Sequence, residues 1–222
     1  MIGETMLKPE PQPMVLTVGH SIRPLETFIN LLKAHLVTRL IDVRTVPRSR
    51  HNPQFNRDTF SNALESAGIR YTHVAGLGGF RRTSRESPNR GWRNEAFRGY
   101  ADYMQTREFA ENLASLIGLA KQERVALMCA EAVPWRCHRS LIADALLIHG
   151  IRVEEIISET RRQLHTLTPF AKVDGKTITY PLCETPSVDL NPDELASFVC
   201  GCDCSSFAIN SVQNVGERLS RA

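Results

Sequence analysis

Residues 125–157 read VALMCAEAVPWRCHRSLIADALLIHGIRVEEII. An apolar run, Val125 to Met128, leads into a polar loop. A helical stretch from Ser140 to His149 follows, stopped by Gly150, and then a second apolar run, Ile151 to Ile157. Strand, helix and strand in this order make the repeating unit of a parallel sheet. The same alternation runs through the residues before it. Val15, Leu16 and Val18 form a buried-strand pattern that ends at Gly19, His20 and Ser21. Pro24 opens a helix whose Leu25, Phe28, Ile29 and Leu32 share one face. Val37 to Arg44 reads as a second strand with Asp42 and Arg44 at its carboxyl end, and residues 45–54 as a loop broken by Pro47 and Pro53. Asp58 or Thr59 is expected to cap a helix carrying Phe60 and Leu64, ended by Gly68. Residues 69–74 form a third strand, 76–99 a long loop, and 101–120 one further helix. The expected fold is α/β and three-layered, a single domain of about five mainly parallel strands flanked by helices.

Outside this core, Pro9, Pro11 and Pro13 predict a loose arm over residues 1–13, and the α/β domain spans 14–180. Residues 181–222 are expected to be a flexible tail. Their Cys183, Cys200, Cys202 and Cys204 lack the spaced pairs of a zinc knuckle and are not counted as a site. With 222 residues, 42% hydrophobic and 23% charged, the chain can bury a real core and is too apolar for wholesale disorder. No apolar run is long enough to span a bilayer and the first residues lack a signal-peptide apolar region, so no membrane partner is expected and the cytoplasm is the expected compartment. A net charge of +3 is too mild to announce nucleic-acid binding by itself.

The chemistry concentrates in Cys129 to Ser140. In open parallel sheets ligands bind beyond the carboxyl ends of strands, and this segment leaves such an end and enters a helix. Cys129 is expected at the strand end, with Glu131, Arg136, Cys137, His138 and Arg139 close behind. A helix amino terminus and neighbouring arginines would lower the Cys129 pKa, and Glu131 would oppose that. Three chemistries fit. Cys129 can serve as a thiolate nucleophile with His138, Glu131 or His20 as acid or base. Cys129 and Cys137 can form a redox pair, although not at the Cys-x-x-Cys spacing. Cys129, Cys137, His138 and His20 can bind a transition metal. The competing reading of Cys129 is a small buried hydrophobe. Two other strand ends are expected at the same edge, bringing Ser21, Asp42, Arg44, Arg48 and Ser49 toward a substrate, and Asp42 can orient Arg44 or His20 or pair with an arginine from the Cys129 loop. A salt bridge with a Ser21 helix cap is the structural alternative.

Between Arg39 and Arg107 stand thirteen arginines, no lysine and six acidic residues. Arginine suits recognition of phosphate or carboxylate, and Phe80, Trp92, Phe97 and Tyr100 lie among these arginines in a pattern compatible with stacking on bases. Arg44, Arg136 and Arg139 are the expected holders of an anionic substrate. A nucleotide or nucleic-acid fragment is the preferred class, ahead of another small anion. Two further classes stay open: a noncatalytic module binding phosphate or nucleic acid, and a metal-binding redox sensor.

The motifs TVGHS (17–21), LIDVR followed by PRS and PQF (40–55), a Tyr followed by LGG (71–79), FRGYADYM (97–104), and LMCAE with CHRSLIADAL (127–146) stand in a fixed order. In that order the chain resembles the bacterial and archaeal family called domain of unknown function 488, over residues 14–180. The resemblance implies an α/β fold. It also implies recurring roles for His20, Ser21, Asp42, Arg44, Pro47, Ser49, Gly78, Gly79, Cys129, Glu131, Cys137, His138 and Arg139, without supplying a reaction.

Overall fold

The structure is a computed structural model and describes residues 12–182. The expected arm over 1–13 and tail over 181–222 therefore lie almost wholly outside the described residues. Six strands form one sheet in the order β3-β2-β4-β1-β5-β6. They are β1 (Met14–Gly19), β2 (Arg39–Asp42), β3 (Arg70–His73), β4 (Val125–Cys129), β5 (Arg152–Ile156) and β6 (Arg162–Leu164). The first five are parallel and β6 runs antiparallel to β5. The expected α/β fold is present, with one strand more than the sequence pattern suggests. β6 escapes notice because its three residues are all exposed and show no apolar alternation. The hairpin of β7 (Lys172–Asp174) and β8 (Thr177–Thr179) is equally short.

Two cores lie on opposite faces of the sheet. On one face α1 (Leu25–Ala34) and α2 (Arg57–Ser66) bury Phe28, Leu32, Phe60 and Leu64 against Leu16, Val18, Leu40 and Met128. On the other, α3 (Glu95–Tyr103), α4 (Arg107–Ala120) and α5 (Arg139–Ile148) cover Val15, Ile41, Leu127 and Val153. The two-residue period of a strand assigns odd and even positions of β1 to different layers. The connections also divide. From β1 the chain moves over β4 to β2, whereas from β4 it moves over β1 to β5 on the other face. The crevice beyond the carboxyl ends of β1 and β4 is thus the switch point where open α/β sheets place ligands.

Three helix boundaries differ from expectation. The long helix expected over 101–120 is two helices, because the Thr106 hydroxyl accepts the Phe109 N–H at 3.2 Å and starts α4 afresh. The apolar period runs on through Met104 and Phe109 and hides the break. α3 begins at Glu95, inside the expected loop, capped by Asn94 Oδ1 accepting from Ala96 N–H at 2.8 Å. Gly99 lies within it because a Cβ there would stand 2.6 Å from the Arg81 carbonyl. Asn56, not Asp58 or Thr59, occupies the N-cap of α2, and its side chain accepts the Ser49 N–H at 2.7 Å.

Asp144 of α5, with no solvent exposure, fastens the chain that follows β6. Its carboxylate accepts from His165 Nε2 at 2.8 Å, from Thr168 N–H and hydroxyl, and from the Tyr180 hydroxyl at 2.9 Å. Asp144→Ala strands these donors in a dry site and is expected to cost about 3 kcal/mol in urea unfolding. A loss under about 1 kcal/mol would show that this fastening contributes little.

Candidate functional site

The β4–α5 connection folds back over the carboxyl ends of β1 and β4. His20 and Ser21 donate backbone N–H groups to the Cys129 and Ala130 carbonyls at 2.9 and 3.0 Å. Gly19 lies under this turn, where a Cβ would stand 1.9 Å from the Glu131 carbonyl oxygen, so only glycine fits. The result is a cluster of Cys129, Cys137 and His138 whose ligand atoms all lie within 4.8 Å of one another. Cys137 Sγ is 3.7 Å from His138 Nδ1. His138 Nε2 lies 3.0 Å from the Val43 carbonyl, which can only accept, so Nε2 carries the proton and the Nδ1 lone pair faces the sulfur. Gly79 makes room for this ring: a Cβ there would meet Nδ1 at 2.5 Å.

Both cysteines are free and buried. Cys137, lying beside Cys129, together with burial pushes the Cys129 thiol up. Cys129 in turn pulls Cys137 well down against the cost of burial, and the Arg139 charge adds to the pull. The expected lowering at Cys129 is therefore corrected: of the pair, Cys137 is the one pulled down. Arg139 has no solvent exposure. Its Nη1 donates to Thr17 Oγ1 at 3.1 Å and to the Glu155 carboxylate at 3.2 Å, and its Nη2 to the Glu131 carbonyl at 2.9 Å. Among the described residues its Nε–H has no hydrogen-bond partner. The guanidinium is committed to this internal network and does not reach out to an anion as expected. Thr17 and Glu155 went unnoticed in the sequence, and the available signal is a polar residue placed inside an apolar strand.

His20, Asp42 and Arg44 gather at the same edge but on the other face. Arg44 donates to the Asp42 carboxylate through Nε at 2.9 Å and Nη2 at 2.6 Å, and to the Phe55 carbonyl at 2.8 Å. Tyr71 donates its hydroxyl to Asp42 at 2.7 Å. His20 stacks on Phe55 with ring centroids 4.2 Å apart, donates Nδ1–H to the Ser21 carbonyl at 2.8 Å, and presents Nε2 to Arg44 Nη1 at 3.4 Å. Strand alternation places Cys129 in the layer of α4 and α5, and His20 against Phe55 in the layer of α1 and α2. His20 is thereby kept out of the expected metal cluster, and Arg44 is an internal ion pair instead of an open anion holder. Asp42 orients Arg44, as one of the three expected alternatives has it, and no Cys129-loop arginine pairs with it among the described residues. Ser21 adopts φ +50° and makes no cap on α1.

The remaining residues surround this edge. Gly78 packs on Thr45, where a Cβ would lie 2.5 Å from Oγ1. Arg48 and Ser49 line a depression of about 750 Å³ with Arg50, Asn56 and Asp58. Exposed Glu131 lines a second depression of about 370 Å³ with Trp92, Asn94, Phe97, Trp135 and Arg136.

Burial lowers His20 from its ordinary 6.5 to about 4, with Arg44 adding to the drop and the Ser21 carbonyl opposing it. The unfolded chain therefore takes up this proton first as pH falls. Stability supplied by the neutral ring is complete above pH 6.5 and is lost between pH 6.5 and 4, by at most about 3 kcal/mol. His20→Gln should flatten that stretch of a pH-dependent urea series, and an unchanged slope in the variant would rule His20 out as its source.

Residues 24–146 match the model of the family described as Domain of unknown function DUF488. No curated protein and no solved structure matches the chain. The matched span begins just before α1, runs through β2, β3 and β4, and ends within α5, so it includes Gly79, Cys129, Cys137 and His138. Covering more than half of the sequence, that match makes the chain a member of the DUF488 family.

Proposed function

We propose that Cys129, Cys137 and His138 hold a divalent transition-metal ion, and that the chain is a cytoplasmic metal-dependent enzyme acting on an anionic substrate. The observation that carries this reading is the mutual approach of two sulfurs and one imidazole nitrogen within 4.8 Å, with the imidazole proton fixed on the far side of the ring. Zinc-to-sulfur and zinc-to-nitrogen bonds of about 2.3 and 2.05 Å at a tetrahedral angle separate sulfur and nitrogen by about 3.6 Å. The 3.7 Å between Cys137 Sγ and His138 Nδ1 suits that geometry. A histidine ligand normally donates its other N–H to a carbonyl or carboxylate, as His138 does to Val43.

Charge supports the same reading. Without a cation the cysteine pair keeps one proton, because a second buried thiolate beside the first is too costly. A divalent ion displaces that proton and balances both thiolates, while Arg139 is already balanced by Glu155. Three protein ligands leave a fourth position for water or substrate. There the ion can act as a Lewis acid or lower the pKa of bound water. A reducing compartment keeps two adjacent thiols available as ligands, which favours the cytoplasm. Among the described residues no helix is long and apolar enough to cross a membrane. Exposed Arg48 and Arg50 in the loop after β2, and Arg136 in the loop after β4, favour an anionic substrate at the carboxyl edge.

The full-length chain purified without chelator should carry one equivalent of metal that Cys137→Ser lacks, a comparison that subtracts any contribution from the cysteines at 183–204. Cobalt loading should give thiolate-to-cobalt absorption. Changes in outer-shell partners typically weaken metal sites 10–100-fold, so His138→Ala, which removes a direct ligand, should weaken cobalt binding by more than about 100-fold. Equal metal content in the wild-type and Cys137→Ser chains, with no charge-transfer band, would overturn the assignment.

A further inference from the structure

The loops at the carboxyl edge carry an unusual charge pattern. Residues 20–24, 43–56, 74–94 and 130–138, which leave β1, β2, β3 and β4, hold ten arginines, no lysine, and only Glu86 and Glu131 as acids. Some of these arginines are used internally. Arg44 is paired with Asp42, and Arg81 lies over the Tyr103 ring and donates to the Gly76 and Gly78 carbonyls. Arg48, Arg50, Arg93 and Arg136 are exposed, and among the described residues none of them is in an ion pair. Arg48 and Arg50 line the first depression with Asp58 as its acidic member, and Arg136 lines the second with Glu131.

Two large aromatic side chains on the same loops face solvent. Trp135 is 67% exposed and Phe80 is 82% exposed. Their placement follows from neighbouring contacts: Trp135 shares the second depression with Arg136, and the Phe80 N–H donates to Thr45 Oγ1, beside the Gly79 that abuts His138. A single exposed aromatic side chain is ordinary on a protein surface; two of them on loops that also carry unpaired guanidinium groups point to a partner. A flat apolar face beside unpaired guanidinium groups is complementary to an unstacked base next to its phosphate.

We propose that the carboxyl edge binds single-stranded nucleic acid, with phosphates on Arg48, Arg50, Arg93 and Arg136 and bases stacked on Trp135 and Phe80. A duplex keeps its base faces covered and would leave both aromatic side chains unused. As the substrate class of the metal centre this rests on the reading above. The binding itself needs no metal and is measured separately from it.

The test is fluorescence anisotropy of a labelled 15-nucleotide oligothymidylate with the full-length chain over a salt series, with duplex DNA of equal length and heparin as competitors. Four phosphate contacts to a single strand predict that affinity falls about 50-fold between 50 and 200 mM salt. The Arg48→Ala, Arg50→Ala double variant should make the log–log salt dependence shallower by about 1.4. Trp135→Ala should weaken oligothymidylate at least about 5-fold while leaving heparin competition unchanged. Circular dichroism of each variant reports whether it is folded, and Phe80→Ala gives a second stacking variant. Absence of oligothymidylate binding at 50 mM salt overturns the proposal. So does binding in which duplex or heparin competes as well as single strands and both aromatic variants behave as wild type. Single-strand-selective binding that persists in Cys137→Ser upholds it, whatever metal analysis finds. Metal present without oligonucleotide binding sinks this inference alone.

Discussion

A guanidinium shut away from water holds the carboxyl edge together. Arg139 lies in a dry interior with its Nε–H unpartnered among the described residues, and its other donors reach different segments: Thr17 in β1, Glu155 in β5, and the Glu131 carbonyl in the loop that leaves β4. Burial pushes the Glu155 carboxyl up while Arg139 pulls the other way, so removing the arginine would leave an unpaired acid at the centre of the sheet. Buried pairs broken on one side typically cost about 3–5 kcal/mol. The contacts that balance this charge also draw the loop inward and set Cys137 opposite Cys129. The local fold and the candidate site thus depend on one electrostatic requirement.

The second constraint is the pleat. At the carboxyl edge, side chains divide between two layers that share a strand but not a cavity. Toward α1 and α2, Asp42, Arg44, Tyr71 and His20 form a network with the Phe55 carbonyl in which each named group has a partner. Such a closed network rigidifies its surroundings and has little capacity left for a ligand. Toward α4 and α5, two sulfurs and an imidazole lone pair face one another with coordinating capacity unspent.

Much of this was legible in the chain. Apolar runs separated by helical periods specify the parallel sheet, and the run from Cys129 to Arg139 specifies where its chemistry lies. Which cysteine is pulled down was not legible, because that depends on how closely Cys129 and Cys137 approach each other and on how each is buried. The exclusion of His20 from the metal cluster follows from strand parity, which becomes readable once the register of β1 against β4 is known. Thr106 starts a helix inside an apparently continuous apolar period, and Gly99 looks like a loop residue although close packing, not chain reversal, requires it. In both cases a tertiary contact overrides the local pattern.

The central claim is that a strand end, a glycine-backed loop and a locked imidazole converge on one ion. X-ray absorption of the zinc-loaded, full-length chain measures that convergence directly, provided that the zinc lost in Cys137→Ser is the zinc observed. Two sulfur scatterers at about 2.3 Å and one imidazole nitrogen at about 2.0–2.1 Å, with a light atom completing the shell, are the result expected. A shell of oxygen and nitrogen atoms without sulfur, or of four sulfurs, would contradict a centre built from Cys129, Cys137 and His138.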